Sequence, residues 1–200
     1  MSRLTTIEHD RIGYMLDCGF FATAVVVLSA ALVHYQPPHS WRTTLAYLAF
    51  GFMSWTLIEY FLHRCIMHGL QPYKTWHEEH HRRPKALIVT PFAMSASTAL
   101  AIVALALWLA PTIAAGLSYS LGMLIGYCLF TGTHHAVHHF RVRDPWFSRQ
   151  KRRHAIHHAY PKCNYGVSSP FWDVIFGTRA KQVYKQDGAL EPQPESTEAA

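Results

Sequence analysis

Four long apolar runs, separated by polar connectors, constrain this 200-residue chain more than any other feature. Crossing the hydrocarbon core of a bilayer takes about 20 apolar residues of helix, and each run is long enough. The runs cover roughly residues 12–33, 41–62, 87–110 and 112–133. The alternative, a soluble bundle with an unusually apolar core, is disfavoured because the stretch from Pro91 to Thr133 contains no Asp, Glu, Lys, Arg or His.

The basic residues predict how the spans are oriented. If the helices alternate in direction, the segments before Ile12, from His63 to Ala86 and after His134 share one side. These segments carry two, five and ten of the 18 Lys and Arg residues, and only Arg42 lies elsewhere. The positive-inside rule then places both termini in the cytoplasm, at the inner membrane of a bacterium or the endoplasmic reticulum of a eukaryote.

The predicted fold is therefore all-α, with four transmembrane helices and a cytosolic helical cap formed by residues 63–86 and 134–180. Residues 1–180 form a single membrane domain, and the polar residues 181–200 form a disordered tail. A net charge of +6 could suggest nucleic acid. In 141–153, however, basic residues alternate with aromatic ones just beyond a span, which is typical of lipid headgroup contact. We expect a membrane partner and no nucleic acid.

Histidine is concentrated beside the ends of the apolar runs. Twelve of the 15 histidines form four clusters, and His9, His34 and His39 lie outside them. Neutral imidazole binds iron and zinc, so this concentration at fixed spacings predicts a polynuclear metal site. The clusters are His63 and His68; His77, His80 and His81; His134, His135, His138 and His139; and His154, His157 and His158.

The first cluster follows directly from the second span. His63 and His68 are five residues apart and diverge on an α-helix unless its last turn loosens or ends between them. Gly69 and Pro72 mark such an ending. Glu59 lies four residues before His63, and acidic residues within spans are costly and tend to be functional. We predict that Glu59 accepts an imidazole N–H and thereby fixes the tautomer of that ring.

The other clusters have helical spacings. In the second and fourth clusters, offsets of three and four place the first histidine on one helical face with the later two. The third cluster contains two overlapping pairs, His134 with His138 and His135 with His139. These pairs are rotated by about 100° from each other on an α-helix, so only one of them can point squarely at a given metal.

In this order the motifs resemble those of the fatty acid hydroxylase superfamily, an integral membrane group that includes fatty acid 2-hydroxylases, sterol C4-methyl oxidases and sterol desaturases. The resemblance extends from Trp55 to Thr178 and includes the tail motifs Asn164–Val167 and Ser169–Thr178. It implies a four-helix membrane anchor beneath a cytosolic cap in which histidines hold two metal ions. The implied ligands are His63, His68, His77, His80, His81, His134, His138, His154, His157 and His158.

Other residues have predicted supporting roles. Glu59, Asn164 and Asp173 would lie behind the ligands. His135 and His139 are left over from the implied ligand set: His139 would lie behind the ligands or along the substrate path, and His135 would be structural. A substrate carboxylate or phosphate could meet a basic set in the cap. That set is Arg141, Arg143, Lys151, Arg152 and Arg153.

Chemistry decides the expected cofactor. Hydroxylating an unactivated C–H bond needs a redox metal, dioxygen and two external electrons. Zinc has no redox chemistry, so two iron ions are expected, although zinc could occupy the same nitrogens in a purified protein. Only eleven residues precede the first span, which leaves no room for the fused cytochrome b5 domain of many eukaryotic fatty acid 2-hydroxylases. A separate electron donor is therefore expected, either a cytochrome b5-like protein, a ferredoxin or a reductase.

The predicted function is O2-dependent hydroxylation of a lipid acyl chain, most similar to the fatty acid 2-hydroxylase branch. A chain entering from the bilayer would leave its head group at the basic cap, so carbon C2 would lie near the metals. A sterol or carotenoid hydroxylase or desaturase of the same histidine-box type is the alternative enzyme. A metal transporter or metal-binding membrane protein is the non-enzyme alternative, which the lack of histidine between Pro91 and Thr133 disfavours.

Overall fold

The computed structural model describes residues 7–37, 40–141 and 143–182. Within these ranges the β-structure is a single antiparallel bridge between Glu8 and Ile88, and the all-α prediction is confirmed. The helices are α1 (Arg11–Tyr35), α2 (Trp41–Phe61), a π-helical turn (Leu62–Met67), α3 (Tyr73–Arg82), α4 (Phe92–Leu109), α5 (Ile113–His139), α6 (Pro145–Ala159) and α7 (Phe171–Ile175).

Four helices are long and apolar enough to cross a membrane, namely α1, α2 with its π-helical turn, α4 and α5. They confirm the four predicted spans. Large apolar side chains on α1 and α4 are exposed, and those of Val33 and Trp108 are about four-fifths exposed. Such exposure is costly in water and is ordinary for a surface that faces lipid.

The third span begins later than the apolar run does. Its prediction started at residue 87, whereas α4 begins at Phe92, immediately after Pro91. The residue that precedes a proline is biased away from the α-helical conformation, which favours a helix that begins after Thr90. Residues 87–89 instead pair with the N-terminal segment: the His9 amide donates to the Leu87 carbonyl over 3.0 Å, and the Val89 amide donates to the Ile7 carbonyl over 2.9 Å.

Two spans extend beyond the others. Helix α5 and the continuous helix Trp41–Met67 each contain 27 residues, which at 1.5 Å per residue is about 40 Å. The hydrocarbon core is about 30 Å thick, so one end of each helix reaches past it. Helices α3, α6 and α7 and their connecting segments pack at these ends, and we call this region the helical cap.

The same two helices form the centre of the bundle, with α1 and α4 packed against α5. Glycines allow their backbones to approach closely. A Cβ on Gly122 of α5 would lie 2.0 Å from the Leu48 carbonyl oxygen, and one on Gly51 of α2 would lie 2.1 Å from the Tyr119 carbonyl oxygen. Small residues serve this purpose where helices pack in membranes. This contact fixes the relative positions of the two helix ends that enter the cap.

The predicted tail lies mostly beyond the described residues. Its first residues, 181 and 182, belong to a short helical turn in which the Gln182 amide donates to the Arg179 carbonyl over 2.8 Å. Residues 183–200, and His39 in the connector between α1 and α2, are outside the described ranges. The single-domain boundary at residue 180 therefore stays a prediction.

Candidate metal centre

Ten histidines meet in two adjacent groups of five. In each group, the nitrogens that could bind metal lie within 4.8 Å of one another. The first histidine group is His63, His68, His77, His81 and His157, and the second histidine group is His80, His134, His138, His154 and His158. These are the ten residues that the family resemblance implied as ligands. Their spacing in the sequence does not show how they divide between two sites.

A π-helical turn brings the first pair together. The His68 amide donates to the His63 carbonyl over 3.2 Å, the i→i+5 bond that defines a π-helix. Residue i+5 then lies above residue i, whereas on an α-helix the two would point about 140° apart. The ring centroids of His63 and His68 are 5.1 Å apart. The loosened last turn that the sequence required is therefore present.

Helices α3 and α6 each contribute to both groups. On α3, the pair His77 and His81 belongs to the first group, and His80 belongs to the second. The order is reversed on α6, where His154 and His158 belong to the second group and His157 to the first. Each helix lies beside both sites, and its i,i+4 pair faces one site while the i+3 residue faces the other.

Helix α5 contributes one of its two overlapping pairs. His134 and His138 belong to the second group. His135 and His139 face away from it and stack on each other with centroids 4.3 Å apart, while the His135 Nδ1 lies 3.0 Å from the hydroxyl of Tyr14 on α1. The structure stacks His139 on His135, and the supporting role of His139 stays a prediction.

The ring nitrogens face one another as metal ligands do. The His77 Nε2 lies 2.9 Å from the His63 Nε2 and 3.0 Å from the His81 Nε2. Likewise, the His154 Nε2 lies 2.9 Å and 3.0 Å from the Nε2 atoms of His138 and His158. One N–H cannot point in two directions, so hydrogen bonds cannot satisfy these contacts.

A bound metal accounts for the same distances. Metal–nitrogen bonds of about 2.1 Å at right angles place two ligand nitrogens about 3.0 Å apart. In the second group, both ring nitrogens of His80 are buried and have no hydrogen-bond partner among the described residues. A buried nitrogen without a partner is costly, and a metal ion would satisfy it. The donor set fits iron or zinc.

Burial also holds the cap imidazoles in the form that binds metal. The pKa of His80 is lowered to about 2, that of His81 to about 3 and that of His68 to about 4, first by burial and then by neighbouring histidines. The same causes lower the pKa of His77 and His154 well below the ordinary value. These rings are therefore neutral at pH 7, as metal binding requires.

Two backbone carbonyls orient ligands of the first group, and sequence reasoning missed both. The His63 Nδ1 donates to the Tyr165 carbonyl, and the His157 Nδ1 donates to the Cys163 carbonyl over 2.7 Å. Each bond places the proton on Nδ1 and leaves the lone pair on Nε2. Tyr165 and Cys163 lie in the segment 163–168, which we call the carbonyl loop.

Glu59 holds this loop, and the prediction that it accepts an imidazole N–H is wrong. Its Oε1 accepts the amides of Val167 (2.8 Å) and Ser168 (3.0 Å), and its Oε2 accepts the Ser168 hydroxyl. The buried loop amides occupy the carboxylate, and the nearby His63 bonds to Tyr165 instead.

Asp173 at the start of α7 holds the loop from the other side. Its Oδ1 accepts the Tyr165 amide and the Thr178 hydroxyl, each over 2.8 Å, and its Oδ2 accepts the Gly166 amide over 2.9 Å. Asn164 adopts φ 55°, a left-handed conformation that Asn tolerates. Its amide side chain donates to the Arg153 carbonyl over 3.2 Å.

The predicted head-group contacts divide into engaged and exposed residues. Arg153 donates to the Gly166 carbonyl and to Asp173 over 2.9 and 3.1 Å, so it holds the loop and is not free to meet a substrate. The Lys151 ammonium donates to the Phe140 carbonyl over 2.8 Å. Arg141, Arg143 and Arg152 are exposed.

Comparison with known proteins connects this site to a family. Residues 48–178 match the family model described as fatty acid hydroxylase. A dihydroceramide fatty acyl 2-hydroxylase of Arabidopsis thaliana is 35% identical over 147 residues, which cover 66% of this chain and 59% of the relative. A fatty acid 2-hydroxylase of Rattus norvegicus is 32% identical over 142 residues, covering 64% of this chain and 38% of the relative.

A solved structure is similar as well. The hydroxylase domain visible in full-length scs7p superposes with a TM-score of 0.73 at 24% identity, covering 88% of this chain and 68% of that one. The matched region spans less than two thirds of the length of the two relatives above. The family match over residues 48–178 contains both histidine groups, most of the second span and all of the third and fourth.

Proposed function

This chain belongs to the fatty acid hydroxylase family, and from that premise we propose that it hydroxylates a lipid acyl chain. The proposed reaction adds one oxygen atom from O2 at C2 of a fatty acid or fatty acyl lipid and consumes two electrons from a separate donor. The observation that carries the proposal is the pair of five-histidine groups at the end of a four-span bundle.

The proposed cofactor is two iron ions, one in each histidine group. Iron supplies the redox chemistry that activates O2, which zinc cannot supply. The chain supplies the ligands in their neutral form and holds their orientation. The two groups share α3 and α6, so two ions bound there would be neighbours, and the stacked rings of His81 and His158 are 4.2 Å apart by centroid.

A groove on the flank of α2 and α5 supports an acyl substrate that comes from the bilayer. It has a volume of about 260 Å³. Its exposed apolar lining includes Met53 and Leu129 of the two central spans, so a bilayer would fill the space beside it. At its polar end lies Ser168, which bonds to Glu59 one helical turn before His63. An acyl chain in this groove would approach the cap from the lipid side.

A second opening reaches the first histidine group from the surface of the cap. This pocket of about 320 Å³ is lined by His68, His81, Glu78, Arg82 and Pro161. It offers water-borne molecules a route from the surface of the cap that is separate from the apolar groove. We propose that the cap faces the cytoplasm, because alternating spans assign 17 of the 18 basic residues in the sequence to segments on the cap side. An electron donor would then approach from that compartment.

The experiment is expression in a host that lacks the activity, followed by mass spectrometry of its lipids. The expected product is a fatty acyl species heavier by one oxygen atom, with the hydroxyl at C2. His80→Ala and His157→Ala each remove one ligand, from the second and the first group, and should abolish the product. His34→Ala, at the opposite end of α1, is the matched control. A product that persists undiminished in both ligand variants would refute the dimetal assignment.

A further inference from the structure

The two histidine groups differ in how the far sides of their rings are bonded. In the first group, the Nδ1 atoms of His63 and His157 both donate to the carbonyl loop. In the second group, the Nδ1 of His154 and both ring nitrogens of His80 are buried without a hydrogen-bond partner in the described part of the chain. His80 and His154 are only 4% and 3% exposed.

This difference affects metal affinity. A partner for the outer N–H fixes the tautomer and ring orientation and makes the ligand nitrogen more basic, and losing such a partner typically costs about 10–100-fold in affinity. We infer that the first histidine group binds its metal ion about 10–100-fold more tightly than the second group does. The inference rests on the dimetal site proposed above and assigns an order in which the two sites fill.

Asp173 is the positioning residue for the tighter site. It touches neither a ligand ring nor a metal position. It acts through the carbonyl loop, because its two oxygens accept the amides of Tyr165 and Gly166 and a contact from Arg153. Without these bonds the Tyr165 carbonyl is no longer held against His63.

Replacing each of the two carboxylates that hold the carbonyl loop by an amide should affect the loop's hydrogen bonds differently. Each oxygen of Asp173 accepts a different backbone N–H, so in Asp173→Asn the new NH2 opposes one of them in either orientation. Both backbone amides that reach Glu59 converge on its Oε1, while Oε2 faces the Ser168 hydroxyl. Glu59→Gln keeps all three bonds, because that hydroxyl can turn and accept.

The test is a titration of the metal-free, full-length protein in detergent with Co2+, followed by visible absorption. Wild type should bind two equivalents in two phases separated by about 10–100-fold in free Co2+. His68→Ala should remove the tight phase, and His138→Ala the weak one. Asp173→Asn should weaken the tight phase by about 10–100-fold and leave the weak phase in place. Glu59→Gln should weaken the tight phase less than Asp173→Asn does, and the capping variant Asp144→Asn is the control that should preserve both phases.

The outcomes separate the inference from the proposed function. Two equivalents that bind in one phase overturn the inference and leave the dimetal site standing. Fewer than two equivalents overturn the dimetal site, and the inference with it. A folded Asp173→Asn protein with an unchanged tight phase overturns the positioning role. If that variant does not fold, the ligand variants still test the inference. Loss of the weak phase in His68→Ala, or of the tight phase in His138→Ala, would refute the inference and leave the proposed function standing.

Discussion

Replacing Gly122 by alanine should destabilise the protein and loosen both metal sites. The new Cβ would lie 2.0 Å from the Leu48 carbonyl oxygen and 2.9 Å from the Phe52 amide nitrogen. Both contacts are to backbone, so α2 and α5 must separate by about 1 Å to restore van der Waals distance. Overpacking of this kind costs about 1–3 kcal/mol. A gain of about 0.5–1 kcal/mol from replacing glycine in a helix offsets part of it.

Gly132 on the same helix is the matched control, because nothing lies within 4 Å of a Cβ built there. Gly132→Ala should therefore stabilise the protein by about 0.5–1 kcal/mol. Thermal unfolding in detergent should rank the proteins as Gly132→Ala, wild type and Gly122→Ala, from highest to lowest melting temperature. Gly122→Ala should also retain less metal, because α5 and the π-helical turn that continues α2 position ligands of different groups, and α3 and α6 contribute to both groups. Equal melting temperatures for the two variants would refute the close-packing argument.

Two further predictions concern the cap. Arg153→Met leaves the buried Asp173 without its ionic partner, so the free energy of unfolding should fall by about 3–5 kcal/mol. The exposed Arg141→Met should change it by less than about 0.5 kcal/mol. Comparable melting temperatures for the two variants would contradict this. The pKa values of His80 and His81, about 2 and 3, lie below the unfolded value of about 6.5. As the pH falls below that value, the unfolded chain takes up protons before the folded protein does, so the metal-free protein should lose stability from pH 7 to pH 5. A melting temperature that does not change over this pH range would argue against buried neutral imidazoles.

Much of the fold could be predicted because length and hydropathy determine a membrane span. The apolar runs located all four helices, and the boundary that failed was at Pro91, where the run continues but α4 has not begun. The spacing of His63 and His68 does not fit an α-helix, so the sequence indicated that the helix must loosen or end between them. It did not indicate that a π-helical turn does this.

The division into two histidine groups could not be predicted from spacing. Offsets of three and four show which histidines share a helical face, but not which faces of α3 and α6 meet across the site. The prediction that Glu59 accepts an imidazole N–H failed for a similar reason. The histidine nearest to Glu59 in sequence is not its hydrogen-bond partner in the folded protein. Backbone acceptors such as the Tyr165 carbonyl have no side-chain signature, and the tail motif Asn164–Val167 indicated only that this segment matters.

Oxygen insertion into a lipid acyl chain at the two histidine groups can be measured with isotopically heavy dioxygen. The heavy gas is supplied to membranes that contain the protein, and mass spectrometry locates the label in their lipids. We expect one heavy oxygen atom in a new hydroxyl at C2, absent when His80 or His157 is replaced by alanine. A hydroxyl oxygen derived from water, or products that are only desaturated or hydroxylated in mid-chain, would contradict it.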